Sequence, residues 1–292
     1  MSAPATRIRS QTRWLFPLAP PTTDVARLRE ELHLPEAICR LLASRGFSGT
    51  DDAKLYLRPR LQHLSEPALL FDLDRAVARL VTALRAGETI LVHGDYDVDG
   101  ICSTTLLVRT LNALGGKAIP FIPRRIEDGY DLSQAGVEAA RAAGATLVVT
   151  CDCGTSAHAA IASLQAGNID VIVTDHHLPG GPLPDAFAVL NPKRTGCLSP
   201  DKDLAAVGVV FKLALAITRA MGGNENVVYA MLDLVALATI ADIAPLRGEN
   251  RVLVRYGLRL LNEAKRPGVR ARKVRRRSRK VRRRSRKARC RQ

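Results

Sequence analysis

Five short apolar runs, Thr89 to His93, Ala118 to Ile122, Thr146 to Cys151, Asp170 to Thr174 and Ala188 to Leu190, alternate with helical patterns near Ile101 to Leu114, Ser133 to Ala143 and Thr155 to Ala166. Runs this apolar need cover on both faces, and helices of this length supply the crossovers that parallel strands require. The expected fold is therefore α/β, a parallel sheet with helices on both faces. Ligands of such sheets gather beyond the carboxyl ends of the strands.

Residues 1–72 read as a helical N-terminal extension of short amphipathic helices separated by proline, as in Pro35 to Ser44 and Thr50 to Leu57. A helical pattern then runs through Leu73, Val77, Leu80, Val81 and Leu84 and stops at Gly87. From Leu204 to Leu261 the chain is mainly helical again and is expected to cover one side of the sheet. The globular domain is placed at residues 73–269.

A net charge of +16 suggests a polyanion binder, but 15 of the 44 Lys and Arg lie from Arg270 onward, where no acid occurs. The rest of the chain holds 29 bases against 28 acids and is close to neutral. Within 270–292, Arg-Lys-Val-Arg-Arg-Arg-Ser occurs twice in tandem, at Arg272 to Ser278 and Arg279 to Ser285. One apolar residue per copy offers no coiled-coil seam, so this Arg-rich tail is expected to be disordered.

Six cysteines form no disulfide framework and no signal peptide is evident, which fits a reducing cytoplasm. The longest nearly apolar run, Val227 to Ala241, contains Asp233 and is shorter than the roughly 20 residues of a membrane span, so no membrane association is expected. With 4% aromatic residues, no base-stacking platform is evident.

Acids and histidines concentrate at the strand ends. His93-Gly94-Asp95-Tyr96-Asp97-Val98-Asp99-Gly100 packs three carboxylates and an imidazole together, a repulsion that a cation would neutralise. A solvated, Asp-rich turn is the plain alternative. A calcium loop is excluded, because an apolar strand precedes the cluster and Leu106 stands where the loop's twelfth-position Glu belongs. Cys151-Asp152-Cys153-Gly154 ends a second run; its thiols lack zinc-type partners nearby and read as small buried side chains, leaving Asp152 as a ligand candidate. Asp175-His176-His177 ends a third, and Asp242 closes an almost wholly apolar helix. Oxygen ligands with a few imidazoles suit Mn²⁺ or Mg²⁺.

These segments resemble the DHH phosphoesterase superfamily and, within it, its single-stranded-DNA-specific exonucleases. The resemblance covers roughly Trp14 to Ala271 and rests on HGDYDVDG, RRIEDGYDLS (Arg124 to Ser133), CDCG, TDHH, LAAVGVVFKL (Leu204 to Leu213) and DLVALATIADIAPLRGENR (Asp233 to Arg251). It implies a site for two Mn²⁺ or Mg²⁺ ions, with His93 and Asp97 on one, Asp99, His176 and Asp242 on the other, and Asp152 bridging. It also implies supporting roles for Asp95 and Asp175 and a His177 that faces the scissile phosphate. Ser103, Thr104 and Thr105, placed at a helix start, could touch phosphate or cap the helix. Arg124 and Arg125 could contact the DNA backbone or form a solvated pair.

Asp131 stands where the family more often has glycine and reads as loop variation. The family's DHHA1 module and oligonucleotide-binding fold are expected to be absent, and the tail reads as a frameshift product. The implied function is metal-dependent phosphodiester hydrolysis, as an exonuclease on single-stranded DNA in repair and recombination, impaired by truncation. Two alternatives remain: a hydrolase of short oligonucleotides, cyclic dinucleotides or pyrophosphate, and a nonenzymatic polyanion binder acting through the tail.

Overall fold

A computed structural model describes residues 18–271, and the arginine repeat lies outside the described residues. The chain divides into two compact units at Arg58. In the first, α1 (Thr22–Leu32), α2 (Glu36–Ser44) and α3 (Thr50–Leu57) enclose a small core of Leu28, Cys39, Leu42 and Ala53. Residues 59–72, assigned to the extension by sequence, group instead with the second unit, where Leu70 is buried in the main core.

The second unit continues with α4 (Leu73–Ala86), β1 (Thr89–Gly94), α5 (Val98–Ala113), β2 (Lys117–Phe121), α6 (Gln134–Ala142), β3 (Leu147–Cys151), α7 (His158–Ala166), β4 (Asp170–Thr174) and β5 (Ala188–Leu190). The helices α8 (Ala206–Ala220), α9 (Asn226–Tyr229), α10 (Leu232–Ala241) and α11 (Gly248–Glu263) follow. Gly87 ends α4 in the left-handed conformation, as its position predicted. All five strands are parallel, in the order β2-β1-β3-β4-β5. The order reverses between β1 and β3, which opens a crevice at their carboxyl ends.

Alternation along the strands sorts the core. Ile90, Val92, Leu147, Val149 and Ile172 meet residues of α4, α5, α8 and α10 on one face. Leu91, Val148, Val171 and Val173 meet Val137 and Ala140 of α6 and Ile161 and Leu164 of α7 on the other. Pro120 lies in β2, an edge strand, where a missing N–H is tolerated. The apolar α10 packs against α11, α5 and α8. Gly257 of α11 permits the closest approach, since a Cβ there would strike the Leu232 carbonyl. Among the described residues, no helix is long and apolar enough to cross a membrane.

One buried charge cluster ties residues 59–72 to the helices. Lys212 Nζ lies 2.8 Å from Glu249 Oε2 and donates to Ser65 Oγ at 2.7 Å, while Ser65 Oγ donates to Glu249 Oε1 at 2.7 Å. Lys212→Met alone should leave Glu249 buried and uncompensated, destabilising the chain by about 3–5 kcal/mol. Urea unfolding should show most of that loss recovered in the double variant Lys212→Met, Glu249→Leu.

Candidate metal centre

Strand register sets the acids side by side. Gly94 pairs with Cys151 and Cys151 with Thr174, so Asp95, Asp152 and Asp175 are the next residues along β1, β3 and β4. Each donates its N–H to the neighbouring strand: Asp95 to the Cys151 carbonyl at 3.1 Å, Asp152 to Thr174 at 2.9 Å and Asp175 to Leu190 at 3.0 Å. With strands about 4.8 Å apart, three carboxylates form one row.

Helix ends bring in the others. Asp97 caps α5, accepting the Gly100 N–H at 2.9 Å, so the helix begins at Val98 rather than near Ile101. A Cβ at Gly100 would collide with the Asp95 backbone, so the first turn of α5 comes this close to Asp95 only because it carries glycine there. Asp99, buried in the first turn, accepts from the first N–H groups of α8, Ala206 at 3.0 Å and Val207 at 2.8 Å. Asp242 stands at the carboxyl end of α10.

Three ligand groups result: Asp95, Asp97 and Asp152; Asp99, His176 and Asp242; and Asp152, His176 and His177, each with donor atoms within 4.8 Å of one another. Asp152 and His176 are each shared by two groups. His176 Nε2 lies 3.3 Å from Asp152 Oδ1 and 3.7 Å from Asp242 Oδ2. Asp175 instead organises its turn: Oδ1 accepts from the backbone of His176 at 2.7 Å and His177 at 3.1 Å and lies 2.7 Å from His177 Nδ1, while Oδ2 accepts from Thr155 N at 3.0 Å.

Burial is the largest influence on four of the acids. It raises the pKa of Asp95, Asp99, Asp152 and Asp242, and neighbouring carboxylates raise them further. Burial would raise Asp175 too, but its hydrogen bonds and the His177 ring hold it down at about 2. His176 falls to about 4, chiefly by burial, so its imidazole is neutral and able to ligate at neutral pH. Asp95 Oδ1 and Asp152 Oδ1 are buried without a hydrogen-bond partner. Crowded, desolvated carboxylates with orphaned oxygens beside a neutral imidazole fit a divalent cation.

Some expected residues fall elsewhere. His93 is fully buried and belongs to none of the three groups. Its Nε2 faces α6, where Gly136 leaves room for the ring, and burial lowers its pKa to about 4. Because α5 starts early, Ser103 and Thr104 lie inside the helix and are buried; Ser103 Oγ donates to Asp99 Oδ1 at 3.3 Å, so a phosphate contact at a helix start is not available to them. Thr105 bonds back to the Ile101 carbonyl. Arg124 is committed to Glu127 and Asp128, while the Arg125 guanidinium stands 5.2 Å over the Tyr96 ring. Cys151 and Cys153 are buried free thiols, their pKa values raised by burial.

Sequence reasoning passed over several residues. Tyr96, Tyr130 and His177 stack edge-on in series, with Tyr130 Oη 3.3 Å from His177 Nε2. Aromatic scarcity hid this grouping, although the tyrosines sit inside HGDYDVDG and RRIEDGYDLS. Buried Asn191 donates to Thr155 Oγ1 and the His177 carbonyl. Buried Asn250 accepts from Ala205 N and donates to the Asp203 and Pro245 carbonyls, bracing the start of α8 and the loop after Asp242.

A family model described as "DHH family, N-terminal domain" matches residues 89–239. The single-stranded-DNA-specific exonuclease RecJ of Bacillus subtilis is 36% identical over 264 residues, which are 90% of this chain and 33% of that protein. RecJ of Salmonella typhimurium is 43% identical over 251 residues, 82% of this chain and 42% of the relative. Among solved structures, RecJ from Thermus thermophilus in complex with Mn²⁺ aligns with a TM-score of 0.72 at 36% identity, covering 87% of this chain and 35% of that one. The chain thus spans a third to two fifths of the length of these relatives.

Electrostatic crowding should cost stability wherever no cation offsets it. Asp152→Asn, which relieves the repulsion and tolerates the same backbone, should raise the melting temperature of the metal-free chain by about 2–4 °C. Calorimetry should also show that Mn²⁺ stabilises the variant less than the unaltered chain.

Proposed function

The chain belongs to the DHH family, and from that membership we propose that it carries the metal-dependent phosphodiesterase core of a single-stranded-DNA exonuclease. The carrying observation is that three ligand groups, linked through Asp152 and His176, meet beyond the carboxyl ends of β1, β3 and β4. The similarity to RecJ over most of the chain supports the substrate class. Crystal structures of RecJ with Mn²⁺ and with Mg²⁺ support the choice of cation.

In this reading Asp95, Asp97 and Asp152 would hold one ion and Asp99, His176 and Asp242 the other, the two groups being linked through Asp152 and His176. Asp95 thereby takes the place that the family resemblance assigned to His93. Two divalent ions, when bound, activate water at neutral pH and neutralise charge at the phosphorus. The protein positions the rest. Asp175 fixes the His177 ring through Nδ1 and leaves Nε2 toward the open side, where Tyr130 meets it, to face the scissile phosphate. Arg125, which makes no ion pair among the described residues, is the backbone contact of the two arginines. Repair and recombination in the cytoplasm are the setting, and the free, buried cysteines support a reducing compartment.

A fluorescent single strand with Mn²⁺ tests the reading. Asp152→Asn should lower cleavage at least about a thousandfold while the affinity for the strand changes by less than about threefold. Comparable cleavage by the variant would refute the assignment. Preferential turnover of a dinucleotide over a long strand would refute the substrate class.

A further inference from the structure

The loop from Arg124 to Asp131 carries the arginine and tyrosine that border the site, yet no strand or helix contains it. Its first half closes on itself, with Asp128 Oδ2 accepting the Arg124 N–H at 2.7 Å and the Asp128 N–H donating to the Arg124 carbonyl at 2.8 Å. Its second half ends at Asp131, a non-glycine residue with φ of 71°. This left-handed geometry is unfavourable for most side chains, and Asp and Asn tolerate it best after glycine.

Asp131 uses that geometry to reach across the site. Its Oδ1 accepts the Leu132 N–H at 2.8 Å and the Gly154 N–H at 2.7 Å. Gly154 closes the turn that begins at Asp152, itself left-handed with φ of 66°. That turn is otherwise held by Thr150 Oγ1, which donates to the Cys153 carbonyl at 2.7 Å, and by the Asp152 N–H. One carboxylate oxygen therefore joins the segment that places Tyr130 beside His177 to the segment that bears Asp152. A residue in a strained conformation persists when its surroundings over-determine it, and here the second segment supplies that constraint.

We propose that Asp131 is a positioning residue that locks the Tyr130 loop to the Asp152 turn, so that His177 and Asp152 are presented together to the scissile phosphate. The proposal rests on the phosphodiesterase reading above. It assigns a role to a position that, read as sequence, was only local loop variation. In this chain the side-chain acceptor, and not only tolerance of positive φ, joins the two segments, a link that the glycine more frequent in the family at this position lacks.

Asp131→Gly and Asp131→Asn separate these requirements. Glycine relaxes the backbone but removes the acceptor, whereas asparagine keeps an acceptor oxygen and tolerates the same φ. Asp131→Gly should raise amide hydrogen exchange in residues 124–132 and 151–156 together, and lower kcat on a Mn²⁺-loaded single strand roughly tenfold, with KM changing less than about twofold. Asp131→Asn should restore both readouts to within about twofold of the unaltered chain. Equal exchange and equal kcat for the glycine and asparagine variants would overturn the proposal. If the unaltered chain fails to hydrolyse the strand, the functional reading fails by itself, and the coupled exchange of the two segments still confirms or overturns the lock.

Discussion

Parallel register among β1, β3 and β4 is the constraint on which the site depends. It brings Asp95, Asp152 and Asp175 to the same level of the sheet, each held by its own N–H in the ladder that continues past the strand ends. Acids this close and this buried repel one another, and the surrounding helices deepen the conflict by excluding water. The fold therefore stores an unfavourable interaction at one edge that a pair of divalent cations would relieve. Convergence of the acids follows from the backbone, and any affinity for cations would follow from the crowding.

The braces around this edge are polar and distant in sequence. Asp99 is held by the start of α8, and Asn250 in α11 fixes both the residue before that helix and the loop after Asp242. Asp175 performs the same service inside its own turn, committing its oxygens to three backbone N–H groups and the His177 ring. In each case a buried oxygen or amide converts a loose loop into a fixed mount, which is how side chains borne on loops can keep the geometry that catalysis needs.

Much of this was legible beforehand. Strand runs bounded by glycine and polar residues gave the order of elements from Thr89 to Leu190, because alternation of apolar runs with helical patterns is a local property. The grouping of Asp99, His176 and Asp242 followed from the motif resemblance. What escaped was decided by tertiary contacts. The clearance that Gly136 of α6 leaves beside the buried His93 ring is one such contact, which nothing near His93 in the chain records. Asp97 moves the start of α5 because a capping carboxylate competes with the apolar pattern. Asn250 and Asn191 carried no signal, since a buried amide reads as any other polar residue until its partners are known.

Asp152 combines two requirements that ordinarily belong to different residues. Its backbone geometry, with φ of 66°, favours glycine, asparagine or aspartate, while the proposed place among the ligands of a divalent cation would call for an anionic oxygen on a short arm. Glycine meets the first condition alone and glutamate only the second, so aspartate is left with almost no rivals. On the proposed function, any substitution at this position would have to satisfy both the shape of the main chain and the chemistry of coordination, so retention of aspartate there would not by itself report on metal binding.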